Sequence, residues 1–262
     1  MEYFGLIIAG LVSGIISGIT GASGVMIMIP LLTTFFGVPL LYALGTSLMA
    51  DVISSGPIAW SYYRAGYLHI RTALLIISGA FIGTFFATGT VEYIPEFIIS
   101  VGVILTMLFL GMRMMQGPLR SIETQPLLLR AFVSENPYTQ TILAFLAGLI
   151  LGMLTGFFGA GGGIFVFIVV HFIFRLDVKT SIGTAAGVMF MSAFSGALGY
   201  WRADFINLTQ GLIIGIAAAI GGVISAHIAH RISEETLSRS VGVFLLIAAC
   251  ALLLIEGYGF FV

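Results

Sequence analysis

Charged residues are what this sequence lacks most. Only 8% of its 262 residues are charged, 59% are hydrophobic, and the mean hydropathy is +1.15. Soluble domains carry roughly 25% charged residues, so this composition excludes a water-exposed surface and predicts that the chain is solvated by lipid. The apolar runs are longer and less broken than the ~10-residue alternating strands of a membrane β-barrel. The sequence therefore predicts an all-α polytopic membrane protein.

Other absences exclude several classes of function. The single cysteine, Cys250, excludes an intrachain disulfide and a cysteine metal cluster. The net charge of −1 argues against a nucleic-acid partner. The glycine-rich stretches lack the Lys-Ser/Thr of a P-loop, so ATP-driven transport by this chain alone is not expected. His227 and His230 are three positions apart, but no carboxylate or cysteine accompanies them in that helix, and neither a metal nor a cofactor is predicted.

Glycine, in contrast, is abundant and regularly spaced. In the later half of the chain it recurs every fourth residue and then forms a break: Gly148, Gly152, Gly156, Gly159, Gly161, Gly162 and Gly163. The same pattern occurs 138 positions upstream: Gly10, Gly14, Gly18, Gly21, Ser23 and Gly24. A fixed offset of this kind indicates an internal repeat.

The offset extends beyond the glycines. Matched pairs include Gly45-Thr46 with Gly183-Thr184, Tyr62 with Tyr200, Arg64 with Arg202, and Gly83 with Gly221. The chain is therefore read as one unit of about 120 residues present twice. The predicted organisation is repeat one at 1–115, an exposed loop at 116–138 with three prolines, and repeat two at 139–262.

Each repeat contains five apolar segments. They lie at about 4–20, 22–37, 42–62, 70–90 and 95–115, and at about 139–157, 160–175, 180–200, 206–230 and 238–256. A spanning helix needs roughly 20 residues. Residues 4–37 are too long for one crossing and barely long enough for two, so the first two segments of each repeat are predicted to be short helices that meet at the Gly-rich break. Re-entrant segments and short full crossings both fit this pattern.

The distribution of basic residues tests the topology. If each pair of short segments returns to its starting side, one side of the membrane holds nine of the ten basic residues and the other holds only Arg202. If each pair of short segments made one crossing, the two sides of the membrane would hold six and four basic residues. The positive-inside rule therefore favours two inverted repeats, in a multi-pass protein of the inner (plasma) membrane with both termini outside the cytoplasm. Inverted repeats are typical of secondary transporters, whose sites lie at discontinuous helices near the midplane.

The doubled Gly-rich break, with its paired Gly-Thr and Tyr-x-Arg motifs, resembles the TauE/SafE sulfite exporter family, also called the toluene sulfonate uptake permease family. The resemblance covers nearly the whole chain and implies an integral membrane carrier for sulfite, thiosulfate or organosulfonates. It implies neither which anion is carried nor the direction. The first copy departs from the second at Ser23, where a hydroxyl can contact the substrate.

The two breaks are the predicted anion site. Glycine allows close backbone approach, and a helix that starts after each break would direct free N–H groups towards it. The residues assigned to this site are Gly21, Ser23, Gly24, Gly159, Gly161, Gly162 and Gly163. Helix packing is the competing explanation, and it is preferred for the glycines at four-residue spacing before each break.

Four further polar positions complete the candidate site. The hydroxyls of Thr46, Ser47 and Thr184 can either donate to an oxyanion or cap a helix. Asp51 is an acidic residue well inside a predicted crossing, and its repeat partner is Met189. Intramembrane ionisable residues are costly and usually functional, so Asp51 is predicted to bind a coupling proton. A structural, hydrogen-bonded aspartate is the alternative.

Arg64 and Arg202 end equivalent helices, after Tyr62-Tyr63 and Tyr200-Trp201. They are predicted either to attract the anion in a vestibule on each side or to snorkel to the interface. The tyrosines and Trp201 are predicted to be aromatic-belt anchors.

The sequence thus predicts a secondary carrier that moves a small sulfur-containing anion by alternating access, driven by protons or the membrane potential. An anion channel of the same architecture, an intramembrane enzyme and a scaffold subunit are the rival hypotheses. The enzyme is disfavoured because no activated nucleophile or H-E-x-x-H motif is present. Whether the carrier acts alone or as a homodimer is left open.

Overall fold

The computed structural model describes residues 2–20, 23–115, 137–159, 163–174 and 176–228, with a few isolated positions between 242 and 254. These residues form helices and short connections, without a strand in the ranges just given, which confirms the all-α prediction. Nine α-helices occur in the continuous ranges: α1 Glu2–Thr20, α2 Val25–Pro30, α3 Leu40–Arg64, α4 Ile70–Thr90, α5 Glu96–Met115, α6 Pro137–Phe158, α7 Gly163–Ile168, α8 Val178–Arg202 and α9 Leu208–Ile228.

The second segment of each predicted repeat is shorter as an α-helix than expected. α2 and α7 each run for six residues and then continue as π-helix, through Leu31–Phe35 and Val169–Ile173. Most of the predicted inter-repeat loop and of the segment at 238–256 lies outside the described residues.

Four described stretches are long and apolar enough to cross a membrane: Ile70–Tyr93, Tyr138–Phe158, Lys179–Arg202 and Leu208–His227. Their outer faces remain apolar. On α9, for example, Ile216, Ile220 and Ile224 follow one another at four-residue spacing and are all more than half exposed. Such a continuous exposed stripe requires lipid around it. The chain is therefore a multi-pass membrane protein.

The glycines at four-residue spacing bring two pairs of helices into backbone contact. A Cβ on Gly14 or Gly18 of α1 would collide with the carbonyl oxygens of Ala218 and Gly222 on α9. A Cβ on Gly152 of α6 would likewise collide with the carbonyl oxygen of Ala80 on α4. The packing role predicted for these glycines is confirmed. Because the contact positions advance together, α1 runs parallel to α9.

The same reasoning gives the directions of the other helices. Gly148 and Gly152 meet Ile76 and Ala80 in order, so α6 runs parallel to α4. On the central pair, Gly45 of α3 lies against Phe205 just after α8, and Gly183 of α8 lies against Tyr67 just after α3. These two helices are therefore antiparallel.

α3 also runs parallel to α9, because Gly211 lies against Met49 and Gly222 against Ile58. α4 runs parallel to α8, because Gly196 and Gly199 lie against Thr84 and Thr88 in order. α1, α3 and α9 consequently point one way, and α4, α6 and α8 point the other way. Since α1 and α3 share a direction, the segment between them, which contains α2, returns the chain to the side where α1 began.

α3 lies at the centre of this arrangement and carries its polar groups inward. Its buried residues include five polar ones: Thr46, Ser47, Asp51, Ser54 and Ser55. Buried polar side chains in a membrane helix need partners, and those partners identify the candidate site.

Candidate functional site

Asp51 lies in the middle of α3 and is only 4% exposed. Its carboxylate oxygen Oδ2 accepts a hydrogen bond from Ser23 Oγ at 2.9 Å, and the backbone of Gly24 lies within hydrogen-bonding range of the same carboxylate. Its backbone oxygen accepts from the hydroxyls of Ser54 and Ser55. The structure therefore places Asp51 at a buried position in the middle of a long helix and supplies a hydroxyl partner.

Ser23 connects the first break to α3. Besides donating to Asp51, its Oγ accepts a hydrogen bond from the backbone N–H of Val25 at 3.2 Å. Val25 is the first residue of α2, so the hydroxyl also satisfies one of the free N–H groups at that helix start. One side chain thus joins the broken segment to the buried carboxylate.

Additional serines surround this junction. A Cβ on Gly24 would collide with Ser13 Oγ and would lie 3.2 Å from Ser17 Oγ, so the α1 serines lie directly against the break. Ser13 and Ser17 are both 3% exposed. Neither serine is among the site residues predicted from the sequence. Two hydroxyls four residues apart in an apolar helix, next to glycines, could have indicated them.

Ser47 lies one helical turn before Asp51 on the same face of α3. It is 1% exposed, and its Oγ has no hydrogen-bond partner among the described residues. A buried hydroxyl without a partner is costly in an apolar interior. Ser47 therefore adds an unused donor near the carboxylate.

The second break adjoins the first. Gly159 has a φ of +65°, and a Cβ there would lie 2.6 Å from Val25 Cγ1 and 2.9 Å from Ile29 Cδ1. Gly163 is buried and begins α7. The structure therefore places Gly159 against α2, the helix that follows Ser23 and Gly24. Gly21, Gly161 and Gly162 lie outside the described residues.

The polarity of the site comes from one half of the chain. At the 138-residue offset, the counterparts of Ser13, Ser47 and Asp51 are Leu151, Ala185 and Met189. All three counterparts are buried. The glycine framework is thus doubled while the carboxylate and most hydroxyls are not.

Thr46 and Thr184 are engaged elsewhere. Thr46 Oγ1 accepts a hydrogen bond from the backbone N–H of Asn207 at 3.0 Å, and Thr184 Oγ1 accepts from that of His69, also at 3.0 Å. Asn207 and His69 each immediately precede a helix, α9 and α4 respectively. Both threonines are completely buried, and this contact holds two loop ends in place.

Arg64 and Arg202 lie at the exposed ends of α3 and α8. The Arg64 guanidinium is 5.9 Å from the ring centroid of Trp60, and that of Arg202 is 5.6 Å from the ring of Phe85. Exposed arginines stacked on aromatic rings suit the membrane interface. Neither forms a contact with the Asp51 region, so both belong to the periphery of the molecule.

Two of the four predicted belt aromatics are in a different environment. Tyr63 and Trp201 are exposed, as expected, but Tyr62 is 7% and Tyr200 0% exposed. Their hydroxyls donate hydrogen bonds to the carbonyl oxygens of Gly18 and Gly156, each at 2.9 Å. The belt prediction was wrong for Tyr62 and Tyr200, because their helix faces point to the interior and not to lipid.

The described histidines make local contacts. His69 Nδ1 accepts from the backbone N–H of Thr72 at the start of α4, and His227 Nδ1 lies 2.7 Å from the carbonyl oxygen of Val223. Within the described part of the chain, no group of three or more His, Cys, Asp or Glu side chains could hold a metal ion. His230 lies outside that part.

Comparisons with known proteins agree with this architecture. A family model described as Sulfite exporter TauE/SafE matches residues 6–252. The "Probable membrane transporter protein YdhB" of Bacillus subtilis is 29% identical over 92% of this chain and 96% of its own. "Probable membrane transporter protein YunE" of the same organism is 22% identical over 97% of this chain and 98% of its own. "Probable membrane transporter protein MJ0441" of Methanocaldococcus jannaschii is 25% identical, over 88% of both chains. No solved structure matches the chain.

Proposed function

The chain belongs to the TauE/SafE sulfite exporter family and is a membrane transporter, and we propose that it is a secondary carrier for a small sulfur-containing anion. Sulfite, thiosulfate and organosulfonates form the proposed substrate class. The carrier works by alternating access and is coupled to protons or to the membrane potential. The observation that carries this proposal is the Ser23–Asp51 hydrogen bond at a buried helix break.

We further propose that residues 1–115 and 139–262 form two inverted-topology repeats. Contacts related by the 138-residue offset support this proposal: α1 with α9 matches α6 with α4, and the Tyr62–Gly18 bond matches Tyr200–Gly156. α1 and α6 belong to the two oppositely directed groups of helices. Repeats of this kind place a substrate between them, where each can rock against the other.

The proposed anion site lies between the two breaks. It combines Ser23 and Gly24 with Gly159 and Gly163, and with Gly21, Gly161 and Gly162 on sequence grounds. The hydroxyls of Ser13, Ser17 and Ser47 are the nearby donors that suit a sulfur oxyanion, which offers several acceptor oxygens. Thr46 and Thr184, with their backbone contacts, hold the loops that frame the site.

Asp51 is the proposed proton-binding group. No basic side chain forms an ion pair with it among the described residues, so its charge in the membrane interior is compensated only by hydrogen bonds. An ionised carboxylate repels a nearby anion, whereas a protonated one does not. Binding of the proton and binding of the anion therefore favour each other.

The function is tested in proteoliposomes. Uptake of sulfite, thiosulfate, sulfoacetate and sulfate is measured with and without an inward proton gradient. We expect saturable uptake of one or more of the reduced sulfur anions or the sulfonate, stimulated by the gradient, and loss of that stimulation in Asp51→Asn. Ser78→Ala, at an exposed serine of α4, is the control.

The alternatives predict different results. A channel would give unsaturated flux that follows the membrane potential and is insensitive to the proton gradient. Chemical conversion of sulfite or thiosulfate by protein in detergent, without a second compartment, would indicate an enzyme. Uptake of none of the four anions would remove the sulfur assignment.

The proposed topology places both termini and Arg202 outside and Arg64 in the cytoplasm. Arg64→Cys and Arg202→Cys, each in a Cys250→Ser background, occupy equivalent exposed helix ends. A membrane-impermeant thiol reagent added to intact cells should label only Arg202→Cys. Labelling of both or of neither variant would contradict the inverted arrangement.

A further inference from the structure

We propose that Ser23 couples proton binding at Asp51 to anion binding at the break, because its single hydroxyl hydrogen can be donated either to the carboxylate or to the anion. This inference rests on the proposed function and identifies the coupling residue within the same site. Ser23 is a positioning residue for the proton and a direct donor to the anion.

The argument starts from the hydrogen-bonding capacity of a serine hydroxyl, which has one hydrogen and two acceptor lone pairs. The Ser23 hydrogen is donated to Asp51 Oδ2 at 2.9 Å. One lone pair accepts the N–H of Val25 at 3.2 Å. Only one acceptor position remains, and no hydrogen is left for an anion while the carboxylate is ionised.

Protonation of Asp51 reverses the donor relationship. The new O–H of Asp51 donates to the remaining lone pair of Ser23, and the Ser23 hydrogen becomes free to turn towards the anion. The O–H bond of Ser23 is not broken at any stage: the transported proton stays on Asp51 and leaves from Asp51 after the anion departs. By linkage, each ligand then raises the affinity for the other by the same factor.

The Ser23–Asp51 pair has no equivalent at the 138-residue offset. The counterpart of Asp51 is Met189, and the counterpart of Ser23 is Gly161, which has no hydroxyl. A transport cycle therefore uses a single proton at this pair.

No other titratable group replaces Asp51 at this position. Titratable side chains on α3 and on the helices packed against it lie towards helix ends: Glu2 and Tyr3 on α1, Tyr42, Tyr62, Tyr63 and Arg64 on α3, Glu96 and Arg113 on α5, Lys179, Tyr200 and Arg202 on α8, and His227 on α9. α2 has none. Among the described residues, no salt bridge reaches Asp51. Protonation of Asp51 therefore changes the hydrogen bond of its neighbour Ser23.

The test is the pH dependence of thiosulfate binding by purified protein in lipid nanodiscs, measured by calorimetry between about pH 5 and 8. Thiosulfate is the anion of a strong acid and stays ionised throughout this range. We expect the parent protein to bind more tightly as the pH falls. Asp51→Asn should bind with nearly constant affinity. Ser23→Ala should bind about tenfold or more weakly at low pH, since a hydrogen bond to a charged group is removed. It should also lose the part of the pH dependence that exceeds the repulsion between ionised Asp51 and the anion.

Two variants separate coupling from folding. Ser23→Thr keeps the hydroxyl and should restore the pH dependence, and Ser78→Ala should behave as the parent. At low pH, where Asp51 is protonated, the double variant Ser23→Ala/Asp51→Asn should match Ser23→Ala alone. A Ser23→Ala protein that keeps the parental pH dependence would overturn the proposal.

A measurement without an anion keeps this inference distinct from the proposed substrate class. Infrared difference spectra on acidification should show a carboxyl C=O band that is absent in Asp51→Asn. Ser23→Ala should shift the frequency of that band, and Ser23→Thr should restore it. A band unaffected by Ser23→Ala overturns the coupling role, whereas a shifted band with no thiosulfate binding by the parent removes thiosulfate and leaves the Ser23–Asp51 pair in place.

Discussion

The hydroxyl of Tyr62 donates a hydrogen bond to the carbonyl oxygen of Gly18, 2.9 Å away and on a different helix. Gly18 lies near the end of α1, just before the first break, where carbonyl groups lose their intrahelical partners. Tyr200 makes the equivalent bond to Gly156 before the second break. Each broken helix is thus tied at its end to one of the two central helices.

Removal of either tyrosine hydroxyl should destabilise the protein. Tyr62→Phe and Tyr200→Phe each leave a buried carbonyl without its donor, so we expect a loss of about 1 kcal/mol of stability. Thermal unfolding in detergent measures the effect, and Tyr93→Phe, at a tyrosine that is 84% exposed, is the control. Equal unfolding midpoints for the parent and both buried variants would show that these bonds contribute nothing.

Substitution of Gly14 should disrupt the contact between α1 and α9. An added Cβ would collide with the carbonyl oxygen of Ala218, and because this neighbour is backbone the helices must separate. Overpacking costs about 1–3 kcal/mol or more, so Gly14→Ala should lower the yield of folded protein and the unfolding midpoint.

Gly89→Ala is the matched control for that substitution. Gly89 lies in α4 with no atom within 4 Å of an added Cβ. Alanine there should be neutral, or stabilising by up to about 1 kcal/mol through its better helix propensity. Equal destabilisation by both glycine substitutions would argue against the packing explanation.

Thr46 and Thr184 should act through stability. Replacement of either by valine removes the acceptor for the backbone N–H of Asn207 or His69, at a cost of about 1 kcal/mol. Thr46→Ser should retain the bond, and Thr106→Val, whose hydroxyl bonds within its own helix, is the control. If Thr46→Val instead weakens anion binding at unchanged stability, the hydroxyl contacts the substrate.

Asp177 should give α8 a pH-dependent contribution to stability. Its side chain accepts the backbone N–H of Thr180 as an N-cap, and the hydrogen bond to Thr180 lowers the pKa of this carboxyl below its usual 3.8. A lowered folded-state pKa means that the stabilisation is present above the unfolded-state pKa and is lost as the pH falls through the folded-state value.

Asp177→Ala should therefore lower the unfolding midpoint at neutral pH, by at most about 1 kcal/mol of stability because the site is exposed and screened. The difference from the parent should shrink as the pH drops below about 4. Asp177→Asn retains a capping oxygen and should stay close to the parent at neutral pH. A difference that does not depend on pH would contradict the ionised cap.

Arg64 and Arg202 should affect transport from opposite sides. In the proposed topology Arg202 lies outside and Arg64 in the cytoplasm. Arg202→Gln should then slow uptake from outside by about twofold to fivefold at low salt, through weaker attraction of the anion. Arg64→Gln should do the same only for transport from the cytoplasmic side. High ionic strength should abolish both effects; rates that do not change with side or salt would favour simple interfacial anchoring.

Part of the candidate site could be predicted from the sequence and part could not. Asp51 stood out because a carboxylate in an apolar stretch is costly whatever surrounds it, and the break glycines stood out through their spacing. Ser13 and Ser17 were not selected, since a hydroxyl in a helix can bond to its own backbone. Tyr62 and Tyr200 were assigned to the interface because an aromatic residue near a helix end is compatible with either face.

By itself the sequence determined that this chain is a helical membrane protein with a glycine pattern that occurs twice, 138 residues apart. Hydropathy and helical periodicity are local properties of the chain, so they can be recognised without the tertiary structure. Only the tertiary structure decided which polar groups meet: Ser23 with Asp51, 28 positions apart, and Tyr62 with Gly18, 44 positions apart. Such contacts depend on how helices cross and on which faces point inward. The close approach of helices at their glycines sets the crossing angles and the inward faces. The sequence of one segment does not specify which other helix it will contact.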